Sequence, residues 1–336
     1  MPQNQDKRKK VLLVSPDYLG LYNDIYRELI NLGYDTELII TKTFKGDPFL
    51  IFNKNQAPKS EDDFLNELKE FWITLKSSGK YSFVYDYLIA IDGTCLHPYL
   101  FEQLQDKSPN IKKINYLFDG IDNVYRFDRN FPFFDKIYTF DLSDSKKYSI
   151  NHLPIYWVDN DEIFPLERDV FAFGAYNKIR SDIFEYVRKS LPSKKITSYI
   201  KLFVPQSRGW NSKIKTIAKT LLMFRQYGMI THTSISTDEF RRMIATSRII
   251  VDTSNGYQDG LSARFMWALG LGKKIITNNP NVIAYDFYSK EQIYIIGYDT
   301  YSLSDFIKSD FKMTDEVREK VNPFRIDNWL NTLMGK

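Results

Sequence analysis

Residues 254 to 279 read SNGYQDGLSARFMWALGLGKKIITNN, a polar loop that runs into an apolar, helix-like segment and then through a Gly-Lys-Lys turn into KIIT. Gly256 and Gly260 let the loop backbone approach a ligand closely. Ser254, Asn255, Gln258 and Asp259 supply hydrogen-bonding groups. A helix beginning near Leu261 offers unpaired N–H groups and the positive end of its dipole, which suits a diphosphate. Arg264 in the first turn adds a permanent positive charge, and Lys273 in the following turn adds another. A second turn of this kind, FGAYNKIR, carries Gly174 and Tyr176 ahead of a helix with Arg180 near its start. It is placed to close on the same phosphates from a neighbouring strand. Both turns also read as ordinary strand-to-helix connections with a glycine for geometry.

Three aspartates end strand-like runs: Asp17 after KKVLLVSP, Asp92 after SFVYDYLIAI and Asp119 after KKINYLF. A carboxylate at such a position can serve as general base toward an acceptor hydroxyl. Asp17 and Asp119 are the foremost candidates, with Asp92 behind them. Each also reads as a helix cap or turn residue, and a reaction that retained configuration would need no such base. His97, His152 and His232 are scattered without metal-ligand spacing, and Cys95 is the single cysteine. A metal site is therefore not expected, and neither an intrachain disulfide nor a cysteine-based zinc centre can form.

At 336 residues the chain accommodates two domains with a core each. Hydrophobic content of 43% and charged content of 26% exclude a largely disordered chain. The start, MPQNQDKRKKVLLVS, has too short an apolar run for a signal peptide or a membrane span, and no later run is long enough to cross a bilayer. A reducing, cytoplasmic setting is expected.

These groups must be held by a framework, and hydrophobic periodicity supplies one. KKVLLVS and NDIYRELINLGYDTELIIT read as a strand–helix–strand opening. SFVYDYLIAID, KKINYLFD and DKIYTFD follow as strands, with helical stretches at 61–77 and 97–106. A second series follows LPIYWVDNDEIFP. Its strands are DVFAFGA, ITSYIKLFV, RIIVDT and KKIITNN, and its helices run to about Lys189, over 238–246 with Thr237 as cap, and over 261–271. Two successive series predict two Rossmann-like, doubly wound α/β domains facing across a cleft. The expected division is 1–165, 166–320, and a terminal helix over 321–336 that packs back on the first domain.

The order of elements, the segment FDLSDSKKYSINHLPIYW, the turn FGAYNKIR and, above all, IIVDTSNGYQDGLSARFMWALGLGKKIITNN resemble the bacterial GT-B glycosyltransferases of capsule, lipopolysaccharide and exopolysaccharide synthesis. The resemblance covers most of the chain and is strongest from 115 to 290. It rests on Asp252, Gln258, Gly260, Leu261, Arg264, Gly272, Lys273, Lys274, Thr277 and Asn278. It implies metal-independent transfer of a sugar from a nucleotide-sugar donor, without a cofactor, to a growing polysaccharide or lipid-linked saccharide. The first domain would serve the acceptor and the second the donor. Many such enzymes carry a Glu on the helix after the loop, where it holds the nucleotide ribose; here the matching position is Trp267, which also reads as a core residue.

Charge is segregated along the chain. Between Glu185 and Asp238 there are ten Lys and Arg and no acid, while the whole chain carries a net charge of +4, so the remainder is acidic. Within 194–225, Ile214, Ile217, Ala218, Leu221 and Leu222 follow helical spacing beside Lys213, Lys215 and Lys219, with Trp210 at the start. A basic amphipathic helix suits an anionic membrane surface, and the same pattern fits a solvated face over an ordinary core stripe. Peripheral attachment to the inner face of the cell membrane is the corresponding expectation. Two other classes remain open: a catalytically silent subunit that scaffolds a polysaccharide assembly complex, and a basic nucleic-acid-binding protein. No recognised nucleic-acid motif supports the last, and nucleic acid is not an expected partner.

Overall fold

The computed structural model describes residues 8–17, 20–41, 60–121, 126, 128–159, 164–192, 195–205, 228–254, 256 and 259–336. The chain divides into two compact units. One comprises Met1–Ile155 together with Ile326–Lys336, and the other Tyr156–Arg325.

The first unit is built on a six-stranded sheet in the order β2-β1-β3-β4-β5-β6, every neighbouring pair parallel. Its strands are β1 (Lys10–Pro16), β2 (Asp35–Thr41), β3 (Tyr87–Ile91), β4 (Lys112–Leu117), β5 (Lys136–Thr139) and β6 (Asn151–His152). All five residues of β3 are buried, as befits a parallel strand covered on both faces. The strand expected from residue 82 begins only at Tyr87. Phe83 has a φ of 54°, and the Tyr85 amide donates to Ser108 Oγ at 3.0 Å instead of joining the ladder. The helices are α1 (Leu21–Asn31), α2 (Glu61–Ser77), α3 (Pro98–Lys107) and α4 (Leu142–Tyr148). A polar cap accepts from the first turn of α2 (Ser60), α3 (His97) and α4 (Asp141).

The second unit repeats the plan in the order β12-β11-β10-β7-β8-β9, again parallel throughout. Its strands are β7 (Arg168–Ala175), β8 (Ser198–Phe203), β9 (Ile230–Thr231), β10 (Ser247–Val251), β11 (Lys274–Thr277) and β12 (Ile293–Ile295). Its helices are α5 (Lys178–Lys189), α6 (Thr237–Ala245), α7 (Ala263–Gly270), α8 (Leu303–Lys308) and α9 (Asp315–Val321). Two helix starts differ from expectation. Ser236, not Thr237, caps α6, and Ser262 caps α7, so that helix begins at Ala263 rather than Leu261. In each case the preceding serine is extended and its hydroxyl takes the free N–H. Gly270 is required by packing. A Cβ there would lie 2.1 Å from Cδ2 of Trp157, whose Nε1 donates to Val321 O at 3.1 Å.

The last helix, α10 (Ile326–Met334), belongs to the first unit. Trp329 is fully buried; its Nε1 donates to Pro154 O at 2.9 Å and its ring lies 4.8 Å from that of Tyr116. In both sheets the strand order reverses once, between β1 and β3 and between β7 and β10. The crevice outside the carboxyl ends of the strands at such a reversal is where open α/β sheets bind ligands.

Candidate functional site

In the second unit the two glycine turns flank the reversal, one leaving β7 and the other leaving β10. Arg180 ties them together. Its Nε donates to Thr253 Oγ1 at 2.9 Å, its Nη1 donates to Ala175 O, and its backbone N–H donates to Asn177 Oδ1, the cap of α5, at 2.7 Å. Gly174 makes room for this side chain: a Cβ there would stand 2.9 Å from Arg180 Cδ and Nε. Gly256 has a φ of 80°, and a Cβ on it would stand 4.0 Å from Ile179 Cδ1 in the first turn of α5. The loop after β10 thus lies against the N-terminus of a twelve-residue helix with a half-buried guanidinium beside it. That arrangement can hold a phosphate group.

Three asparagines brace the loop. Asn278 accepts from the Ser254 amide at 2.7 Å and donates to the Ser254 carbonyl at 3.1 Å. Asn279 donates to Asp259 O at 3.1 Å and Gly260 O at 3.2 Å, and Asn281 Nδ2 donates to Asp259 Oδ1 at 2.9 Å. Of these only Asn278 was singled out from the sequence. The run TNNPN after a buried strand was the signal for the other two, since asparagine amides satisfy turn backbones. Tyr176 packs half-buried against the apolar core of this unit, and Leu261 is buried, at 1% exposure. Asn255 and Gln258 lie outside the described residues.

Arg264 is placed differently from the expectation of an open phosphate clamp. Its Nη1 stands 3.5 Å from Asp252 Oδ1, with side-chain exposures of 15% and 4% for the two partners. Ser262 Oγ donates to the same Asp252 oxygen at 2.6 Å, and the guanidinium lies 5.4 Å from the Phe240 ring centroid. Burial lowers the Arg264 pKa and Asp252 opposes that shift. Trp267, one turn on, is 6% exposed, packed against Phe240 and 4.4 Å from the Arg241 guanidinium, which makes it a core residue. Lys273 sits at the start of β11, at the opposite edge of the sheet from the loop. Its Nζ donates at 2.5 Å to the carbonyl of Ala245, the last residue of α6. A cation there satisfies a helix C-terminus, and the structure does not bring it to the turns around Arg180.

In the first unit the reversal is flanked by Asp17 after β1 and Asp92 after β3, with Asp119 after β4. Asp17 is exposed. Asp119 is half-buried and its Oδ1 accepts from the Gly120 amide at 2.8 Å; the Ile121 amide just beyond is held by Asp144 Oδ2 at 2.8 Å. Asp92 is 1% exposed and adopts a φ of 58°, followed by Gly93 at 63°. Two successive left-handed residues make a sharp turn at the strand end. A Cβ on Gly93 would stand 3.0 Å from the Asn115 amide, and Asn130 Nδ2 donates to Gly93 O and Leu96 O, both at 2.9 Å. Asp92 Oδ1 accepts from the Phe118 amide at 2.8 Å. Burial, with a smaller contribution from the Asp119 charge, pushes the Asp92 carboxyl up to about 7.

The histidines are dispersed. His97 caps α3, His152 Nε2 lies 3.3 Å from Phe140 O, and His232 Nδ1 lies 2.8 Å from Val204 O. Among the described residues no group of three or more His, Cys, Asp or Glu side chains could hold a metal ion. The chain does contain one Asp-x-Asp triplet, Asp159-Asn160-Asp161, of which only Asp159 lies within the described residues.

Neither family models nor curated proteins match the chain. Solved structures do, at low identity. A sucrose-phosphate synthase from Thermosynechococcus elongatus aligns over 98% of this chain and 97% of its own, with a TM-score of 0.58 and 12% identity. A glycosyltransferase from Rickettsia africae aligns over 98% and 97%, with a TM-score of 0.54 and 13% identity. A putative UDP-N-acetylglucosamine 2-epimerase from Listeria monocytogenes aligns over 97% and 95%, with a TM-score of 0.51 and 12% identity. The chain has the GT-B fold, two doubly wound α/β units each on a parallel six-stranded sheet.

Proposed function

We propose that this chain is a glycosyltransferase that moves a sugar from a nucleotide-sugar donor to a saccharide or lipid-linked acceptor of a cell-surface polysaccharide, without a metal ion. The observation that carries the reading is the Arg180–Thr253 bridge beside the N-terminus of α5 and the Gly256 turn, at the strand-order reversal of the second sheet. A leaving nucleoside diphosphate gains negative charge as its bond to the sugar breaks. A guanidinium and a helix N-terminus held in place before the reaction stabilise that charge. On the acceptor side the hydroxyl oxygen forms the new bond to the anomeric carbon and its proton passes to a carboxylate, Asp119 or Asp17. The electron pair of the broken bond leaves with the diphosphate. Because the fold also serves an epimerase by name, the assignment rests on this site and not on likeness alone.

Arg180→Ala is expected to weaken binding of the cognate nucleoside diphosphate by about 1.5 to 3 kcal/mol, the range for a hydrogen bond to a charged group. Thermal-shift screening with UDP, GDP, CMP and dTDP sugars identifies the nucleotide, and calorimetry measures the variant. Equal affinity in a folded variant would refute the assignment. One observation favours a second reading. Trp267 is buried where related enzymes place a ribose-holding Glu, which fits a silent, scaffolding member of the fold; that reading predicts no nucleotide-sugar binding in the same screen.

A further inference from the structure

Asp92 is hidden from any substrate, so its chemistry must act through a neighbour. Its carboxylate accepts from the Phe118 amide at 2.8 Å and also from the amide of Asp119. The buried side chain therefore grips the backbone of the segment that carries the half-buried Asp119. The other oxygen, Oδ2, is buried without a hydrogen-bond partner among the described residues, and so are Asn115 Oδ1 and Asn130 Oδ1 on two flanking segments. Three acceptor oxygens with no donor assigned gather around the Asp92–Gly93 turn. Buried acceptors left so are costly, and a proton retained on Asp92 removes one of them. The charged or titratable groups that face it are Asp119 beyond β4, Cys95 on its own loop, and Arg129, whose Nη2 donates to Thr94 O at 2.5 Å.

We propose that Asp92 is a positioning residue for Asp119, and that it holds the Asp119 segment with a proton retained on its buried carboxyl. This rests on the glycosyl-transfer reading only for the role of Asp119 as the group that receives the acceptor proton. Loss of the Asp92 proton places a negative charge close to the point where the acceptor proton arrives, which favours its transfer. The rate of transfer should rise with pH through the Asp92 titration. The left-handed backbone at Asp92 accepts Asn with little strain, so Asp92→Asn keeps the turn, keeps an acceptor for the Phe118 amide and fixes the side chain in its neutral form.

The test is a carboxyl-carbon NMR titration of the full-length protein labelled at aspartate, with Asp92 assigned by loss of its signal in Asp92→Asn. The Asp92 carbon is expected to titrate near pH 7, and its midpoint to fall by about half a unit or more in Asp119→Asn, where the neighbouring charge is gone. In kinetics, kcat/KM of the wild type should step upward around that pH. Asp92→Asn should lose the step while its KM for donor stays the same. A role confined to folding would scale the whole profile and keep the step. An Asp92 carbon that is fully ionised by pH 5, or a midpoint unmoved by Asp119→Asn, overturns the retained proton. A step that survives in Asp92→Asn overturns the positioning role. Absence of transfer from any nucleotide sugar would count against the proposed function, while the titration still decides the carboxylate pair.

Discussion

Asp252 and Arg264 show how a residue that reads as a ligand contact can also be part of the framework. The aspartate ends β10, the arginine opens α7, and their ion pair is almost closed to solvent. Removing one partner of a buried pair strands the other charge, so Asp252→Ala is expected to lower stability by about 3 to 5 kcal/mol. Adding Arg264→Met to the same chain should restore most of that loss. Denaturant unfolding of the single and double variants measures both effects. A single variant as stable as the wild type would return Arg264 to the role of a free anion contact. The type and spacing of Arg264 were plain in the sequence, whereas its partner twelve residues upstream was not, because their meeting depends on the strand end and helix start lying side by side. Asp92 is the converse case. It was ranked behind Asp17 and Asp119, since nothing in a linear sequence reveals complete burial or a left-handed backbone.

At the level of elements, the parallel strands announced themselves as short runs of Val, Ile and Leu ending in polar residues, and their order along the chain was readable. Their edges were less so. Helix starts shifted by one or two residues where a serine hydroxyl competed for the cap, and β3 lost its first five residues to a bend at Phe83. Lys273 illustrates why direction matters: it precedes its strand, so the fold puts it at the edge away from the glycine turns. The basic stretch 194–225 lies outside the described residues except for 195–205. The membrane attachment expected of it is open to a direct measurement. Each Lys or Arg near an anionic leaflet contributes on the order of 1 kcal/mol, and apolar residues at helical spacing add a part that salt does not screen. Sedimentation with anionic vesicles is expected to weaken with salt without vanishing, and to be lost when Lys213, Lys215 and Lys219 are replaced by Glu. Equal binding by that variant, or none by the wild type, would make the stretch an ordinary solvated face. Among the described residues no helix is long and apolar enough to cross a membrane.

On the scale of the whole molecule, the chain completes its first unit only after traversing the second. α10 supplies Trp329, which seals against Tyr116 and the Pro154 carbonyl at the far side of a gap of more than a hundred residues in sequence. Trp329→Ala should cost about 3 to 5 kcal/mol, as expected for a large aromatic lost from a core. Its unfolding should show the first unit melting ahead of the second, measurable by hydrogen exchange; uniform loss of protection across both units would contradict this. The order of synthesis then runs against the order of completion. Residues of the first sheet leave the ribosome before those of the second, yet the tryptophan that closes their core follows the whole intervening unit. A nascent chain therefore keeps the seat of Trp329 uncovered while the second unit is made, and a stop before α10 leaves an apolar scar for chaperones and proteases to find.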